Sequence, residues 1–490
     1  MGSLGRTFTL ATLALILYAA AVAAYFWSHA AGEVPPALAG TPADPEVFMT
    51  EEEFGRMERY SAFRYMYSFF MPGWQVYVLY LLWIAKFPER TERRLFGGLP
   101  GRRWKMPAAL LITYLVCRLA LFPFQFMFYR VKTAFGLSRQ PALSWINDYA
   151  TGLAAGIFTE FIAFLALWWI ARRFRRTGWA AAGVLAVAAV ALYVYLEPVV
   201  IDPLYNRFAS LEEGPLKAQI LKLSADAGVP AEDVYVTNAS KQTTSINAYV
   251  KGIGATSRIV LWDNALNKLE DDEILSLVAH EIVHYRDRHV VLGSMLAAAG
   301  AFPFCLLWFT MYRWAEHRAE RRARLTAEGQ RPEEPADKQA EKPAHMLTTT
   351  AAIPEMQAKE GEPAGARRFA EARQRGQSRR KPAGTQAERA GGRLNGFPLF
   401  MLAGVLLLFL VNPVVNLISV QMETAADRGA LELYPNAEAS LGLHRKLAVH
   451  NLSNPVPPGI VQLFFGTHPP LIERMAADLA FGADAAAGSR

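Results

Sequence analysis

The stretch AHEIVHYRDRH, residues 279–289, contains the pattern His280-Glu281-Ile282-Val283-His284. Ile274, Leu275, Leu277 and Val278 ahead of it mark a helix from about Asp271. On a helix, residues four apart lie on one face, one turn from each other, so the two imidazoles can grip one ion. Zinc suits them, because it takes nitrogen and oxygen ligands tetrahedrally while leaving a fourth position open for water. Glu281 is adjacent, and its carboxylate can reach that water, take its proton and later deliver it to a leaving amine; the chemistry is peptide hydrolysis. The same five-residue pattern occurs in proteins that bind no metal, where the two histidines sit on a polar helix face or bond to backbone. The surrounding chain decides between these readings.

A third histidine at the HExxHxxGxxH spacing is absent, since Asp287 stands where that pattern needs its glycine. The third ligand is then expected from a carboxylate on a second helix. SVQMETAADRGALEL, residues 419–433, places Glu423 and Asp427 four apart on one face. Glu423 can coordinate, and Asp427 can orient a ligand histidine from behind. Taken alone, the pair reads better as two solvated carboxylates on a surface helix. Topology favours the metal: two apolar spans separate His284 from Glu423, and two crossings return the chain to the same side. His284 lies six residues before the first of them and Glu423 five after the second, which sets the metal within about 10 Å of the membrane boundary.

Those two spans belong to a set of seven. The 490-residue chain is 52% hydrophobic and 12% aromatic, high for a water-soluble protein. The excess falls into stretches of membrane-spanning length at 8–28, 65–86, 107–129, 150–171, 179–198, 290–312 and 397–418. The first follows Arg6 and precedes small residues, as a cleaved signal peptide would, but its length favours a retained span. The net charge of +7 then reads as arginine-rich loops beside a membrane. A nucleic-acid partner is not expected, because the basic residues sit between spans without interleaved aromatics. Cys117 and Cys305 both fall inside spans, so no disulfide framework or cysteine metal site is indicated.

The expected organisation is an N-terminal membrane domain over 1–198 with five spans, the first part of a catalytic domain over 199–289, the sixth span at 290–312, an insertion at 313–396, the seventh span at 397–418, and the second catalytic part, mostly helical, over 419–490. In the first part, LEEGPLKAQILKLSADAG reads as an amphipathic helix, and DVYVTN, SINAYV and SRIVLWDN read as strands. Segment 313–396, dense in Ala, Arg, Glu, Gln and Pro, cannot bury enough apolar surface to offset its ordering entropy and reads as mostly disordered.

The ordered runs IDPLYNRF, LEEGPLK, NASKQTTSINAYVKGIG, HEIVHYRDRH, NLIS with METAAD, NLSNPVPP and THPPLIERM resemble the type I CAAX prenyl endopeptidases, seven-span integral membrane zinc proteases. FGLSRQPALSWIND, between the third and fourth spans, resembles that family's membrane half, so the likeness covers nearly the whole chain outside 313–396. It implies a mainly α fold: a seven-transmembrane-helix bundle enclosing a chamber, with a gluzincin-type α+β zinc protease domain at one membrane face. It implies one zinc ion on His280, His284 and Glu423, with Glu281 and Asp427 in the catalytic machinery. It further implies that Asn247, Ala248 and Tyr249 form the strand against which substrate backbone is laid, and that His468 stabilises the transition state. His289 matches another family position, but a helix-end histidine near the membrane needs no catalytic role. Arg474 reads either as a brace for the site or as a structural ion pair. The family's Ser-Arg ahead of the glutamate ligand is here Ser419-Val420, so one supporting ion pair is expected to be missing.

Arg118 and Glu160 fall within the third and fourth spans, where an ionised group is costly unless paired or facing water; they suggest a hydrated interior. Lys86, Arg90, Arg93, Arg94, Arg102 and Arg103 follow the second span, Arg172, Arg173, Arg175 and Arg176 the fourth, and the arginine-rich insertion the sixth. The positive-inside tendency puts these loops in the cytoplasm and the zinc outside, with the acidic Glu51, Glu52 and Glu53 agreeing, whereas eukaryotic members of the family have the catalytic side in the cytosol. The expected location is multi-pass in a bacterial-type cell inner membrane, with membrane lipid and a peptide or lipidated peptide as partners. Three functions fit: proteolysis including prenylated CAAX tails, membrane-protein quality control, or a non-catalytic chamber or transporter that keeps the fold.

Overall fold

The computed structural model describes residues 3–99, 104–196, 207–229, 231–251, 258–328 and 394–488. The described chain is mainly helical. The N-terminal helices are α1 (Ser3–Ser28), α2 (Glu51–Ile84), α3 (Phe87–Phe96), α4 (Lys105–Ala134), α5 (Ala142–Gly156), α6 (Ile162–Arg173) and α7 (Gly178–Leu196). Among the described residues, five helices are long and apolar enough to cross a membrane: Gly5–Ser28, Lys105–Ala134, Ala142–Arg173, His289–Arg321 and Gly396–Leu433. The expected second span lies in α2 and α3, a pair bent by 56°, and the expected fifth lies in α7, whose apolar part Gly178–Leu192 is shorter. The helices outrun the apolar windows. In α2 the Thr50 hydroxyl caps the Glu53 N–H while the Glu53 carboxylate takes the Thr50 N–H, so Glu51, Glu52 and Glu53 form a first helical turn rather than a loop.

Within this half, α1 lies along α2, with the Tyr18 hydroxyl donating to the Phe69 carbonyl at 2.7 Å. Arg118 and Glu160 meet at 3.2 Å, and Tyr114 donates to the same carboxylate at 3.0 Å. The charged pair expected inside the membrane is thus neutralised internally. Glu160 sits on a π-helical turn, Ile157–Phe161, between α5 and α6, a widening of the helix that commonly marks a functional position.

The membrane-external half contains β1 (Phe208–Ser210), α8 (Pro215–Asp226), β2 (Val234–Thr237), β3 (Ala248–Lys251), β4 (Arg258–Trp262) and α9 (Asp271–Arg286), all but β1 at the positions the sequence patterns indicate. The strand order is β1-β2-β4-β3. β2 runs parallel to β4, and β1 and β3 run antiparallel to their neighbours, so β3 is an edge among the described residues. Ile274, Val278 and Ile282 of α9 bury in one core with Ala248 and Val250 of β3 and Ile259 and Leu261 of β4, each of the three contributing about 1.5–3 kcal/mol. The Glu273 carboxylate receives the Glu270 N–H at 2.8 Å and fixes the start of α9.

After α9 come α10 (His289–Glu328), α11 (Gly396–Leu433), α12 (Ala437–His450), α13 (Gly459–Phe465) and α14 (Leu471–Gly488). Both spans that bracket the insertion are therefore portions of longer helices. α10 continues to Glu328, beyond the point at 313 where disorder was expected, because its hydrogen-bonded backbone carries past the apolar window into Arg313 and Glu316. These are held by the Phe174 carbonyl and by Arg172 respectively. The remainder of the expected insertion, 329–393, lies outside the described residues.

Candidate metal centre

α9 and α11 cross with their polar faces together. His280 Nε2 lies 3.1 Å from Glu423 Oε2, His284 Nε2 lies 3.3 Å from the same oxygen, and the two Nε2 atoms are 3.1 Å apart. A tetrahedral ion with ligands at about 2.0–2.1 Å holds them about 3.4 Å from one another. The trio therefore matches the edges of a zinc tetrahedron, and two imidazole lone pairs and a carboxylate turned inward are the donor set zinc takes. His280, His284 and Glu423 form a group able to hold a metal ion, with all ligand atoms within 4.8 Å.

The reverse side of each ring is also occupied. His280 Nδ1 is 2.8 Å from Asp427 Oδ1, and Asp427 is in turn gripped by Arg474, whose Nε donates to Oδ2 at 2.7 Å. Burial works against protonation of His280, but Asp427 and Glu423 outweigh it and hold its pKa up to about 9. His284 Nδ1 lies 3.0 Å from His289 Nδ1, so His289, left out of the site on sequence grounds, stands directly behind a candidate ligand. The sequence signal was its match to a family position. Arg288, at φ 57°, ends the run from α9 and returns the chain so that His289 meets His284.

Glu281 lines the same cavity, and burial pushes its carboxyl above the usual range, partly offset by His280 and His284. His468 Nε2 reaches Glu423 Oε2 at 3.2 Å, and its Nδ1 meets the Thr467 hydroxyl at 2.9 Å. Burial lowers its pKa, with Glu423 pulling the other way. The structure thus brings His280, Glu281, His284, Glu423, Asp427 and His468 to one place.

Asn247 lines the cavity as well, and Ala248 and Tyr249 follow it into β3. The Asn247 carbonyl accepts the Trp262 N–H at 3.1 Å. By the alternation of antiparallel pairing, the backbone groups of Ala248 then point away from β4. One step earlier, the outward groups of Ile246 are taken by Asn451, whose side-chain amide accepts the Ile246 N–H at 2.8 Å and donates to its carbonyl at 3.2 Å. The edge is thus capped at Ile246. Arg474 is the brace of Asp427, which supplies an ion pair even though Ser419-Val420 departs from the family pattern.

Comparisons with known proteins agree with this geometry. Residues 210–358 and 364–479 match the sequence profile of Peptidase family M48, and residues 9–207 match that of the CAAX prenyl protease N-terminal region, five membrane helices. An uncharacterized metalloprotease, YhfN of Bacillus subtilis (strain 168), is 29% identical over 471 residues, covering 95% of this chain and 94% of that protein. CAAX prenyl protease 1 of Saccharomyces cerevisiae is 38% identical over 117 residues, 24% of this chain and 26% of that one. The crystal structure of S. mikatae Ste24p superposes with a TM-score of 0.66 at 21% identity, over 97% of this chain and 99% of that one. That likeness concerns the fold.

Proposed function

The chain belongs to peptidase family M48 and is an integral membrane zinc metalloendopeptidase; we propose that His280, His284 and Glu423 hold one zinc ion and that Glu281 is the general base. The observation that carries this assignment is the 3.1–3.3 Å triangle of donor atoms from two helices. When bound, the ion acts as a Lewis acid on the scissile carbonyl and makes water a nucleophile at neutral pH.

Glu281 accepts the proton of the attacking water and returns it to the leaving amine. Its raised pKa suits both halves of that task. Asp427 and His289 fix the ring orientations of His280 and His284, and Arg474 keeps Asp427 in place. His468 offers a hydrogen-bond donor to the developing oxyanion. Asn247, Ala248 and Tyr249 lead along β3, an edge among the described residues, where the outward backbone groups of Ala248 can receive an extended peptide as a further strand.

The same reading takes seven crossings around a chamber, with a gluzincin-type catalytic domain divided between 199–289 and 419–490. The substrate class is peptides or C-terminally lipidated peptides, supported by the relatives named CAAX prenyl protease 1, although those matches span about a quarter of each relative's length. YhfN, aligned over nearly its full length, is named only as a metalloprotease. This supports a second reading, quality control of unlipidated membrane proteins. Matched peptides with and without a prenyl thioether separate the two.

The assignment is tested on purified protein by zinc stoichiometry and peptide cleavage. One zinc per chain is expected in both wild type and Glu281→Gln, with cleavage lost in the variant by about a thousandfold or more. Cleavage that survives both this substitution and chelation would overturn it.

A further inference from the structure

The cavity that borders the candidate metal centre at His280 has a volume of about 640 Å³ and a second charged wall. His280 and Glu281 of α9 form one side. On another, α2 contributes Arg64, Tyr65 and Ser68. The arginines and carboxylates of the lining are Arg64, Glu281, Asp427 and Arg474, and Asp427 and Arg474 satisfy each other. Arg64 is different. Among the described residues it has no carboxylate within ion-pair distance and no hydrogen-bond acceptor; its neighbours are ring faces, Tyr65 at 5.2 Å and Tyr60 at 6.0 Å.

Aromatic faces hold a guanidinium in position and favour its charge, but they accept none of its five in-plane N–H groups. The result is a half-buried, pre-positioned fork bordering the reaction cavity with its hydrogen-bonding capacity unused. A planar carboxylate fits such a fork with two parallel bonds, which a lysine cannot reproduce.

We propose that Arg64 is a substrate-binding residue that takes a peptide carboxylate, either the chain's own C-terminus or an acidic side chain beside it. This rests on the reading of the site as a peptidase. It adds a selection rule: a peptide with a carboxylate in reach of Arg64 is held in register across the metal centre, and one without it is held by β3 alone.

The test uses full-length zinc-loaded protein bearing Glu281→Gln, so that binding is read without turnover, and three fluorescent peptides: one sequence with a free C-terminal carboxylate, the same sequence as C-terminal carboxamide, and that carboxamide with its last residue replaced by glutamate. The expected Kd for the carboxamide is about tenfold or more above that for the free carboxylate. This ratio should collapse toward one when Arg64→Met is added and be partly kept by Arg64→Lys. Because each ratio is taken within one protein, general loss of fold does not imitate the result. Tight binding of the glutamate peptide assigns the fork to acidic side chains as well; weak binding confines it to chain ends.

A ratio of one in the Glu281→Gln protein overturns the proposal, as does a ratio that Arg64→Met leaves unchanged. If the ratio behaves as expected while the zinc-loaded wild type cuts none of the peptides, the peptidase reading fails and the carboxylate site stands. If cleavage is robust and the ratio is one, the reverse holds.

Discussion

His280 and His284 share one face of α9, yet their rings are set by different partners. Asp427 stands behind His280 at 2.8 Å and His289 behind His284 at 3.0 Å. For His284 to offer Nε2 to a metal, its proton must sit on Nδ1 and be donated to His289, so a neutral imidazole does for one ligand what a carboxylate does for the other. His289→Phe keeps a ring of similar size and removes the acceptor. Zinc affinity measured by chelator competition should fall about tenfold, and His289→Gln, which retains an acceptor, should recover part of it. An affinity unchanged in His289→Phe would make the contact incidental. Asp427 was readable from the sequence because a four-residue spacing on an unbroken helix fixes a shared face. His289 was not, because extending α9 as a helix carries position 289 away from His284; only the left-handed turn at Arg288 returns it, and left-handed geometry at an arginine has no sequence signature.

At the scale of elements, the metal trio depends on how closely α9 and α11 approach, and Gly429 sets that distance. A Cβ at Gly429 would stand 2.9 Å from Val283 Cγ1 and 3.0 Å from Arg286 Nη2, and Val283 is fully buried. Two effects oppose each other in Gly429→Ala. Helix propensity favours alanine by about 1 kcal/mol, and overpacking against an immovable valine costs about 1–3 kcal/mol. The second wins, so thermal stability should fall. Zinc affinity should fall with it, since Glu423 and Asp427 ride on α11 while His280 and His284 ride on α9. Gly300→Ala, at a helical glycine with open space around it, should leave zinc binding intact and serves as the control. A Gly429→Ala protein with unaltered melting temperature and zinc affinity would remove the helix crossing from the account. The two helices and the residues they bring together were readable from periodicity and from counting spans. The glycine contact was not, because a small residue in the polar C-terminal part of α11 leaves no periodic trace. Nor was the edge position of β3: its strand pattern was plain, but strand order follows from the parallel pairing of β2 with β4, which the local sequence does not encode.

For the whole molecule, the long helices fix which loops share a side. Asn395, at the start of α11, donates to the Trp83 carbonyl near the end of α2 at 3.0 Å, Arg313 of α10 donates to the Phe174 carbonyl at the end of α6 at 3.2 Å, and Arg172 pairs with Glu316 at 3.7 Å. The ends of these four elements therefore gather at one pole, together with Arg90, Arg93 and Arg94 of α3. The candidate ligands lie at the other pole: His289 opens α10, and Glu423 falls late in α11. From His289 to Arg313 the helix rises about 36 Å, slightly more than the roughly 30 Å of a hydrocarbon core. The basic pole and the metal centre thus fall on opposite faces of any membrane this bundle crosses. Positive loops are retained in the cytoplasm, which predicts the metal centre on the far side, opposite to the cytosolic placement expected from eukaryotic relatives. Fusing alkaline phosphatase, which matures only outside the cytoplasm, after the C-terminus should give active enzyme, while a fluorescent protein that matures only inside should stay dark at the same junction. The opposite pair of results would mean that the arginines of this pole yield to another determinant, and that the peptidase works on cytoplasmic chains.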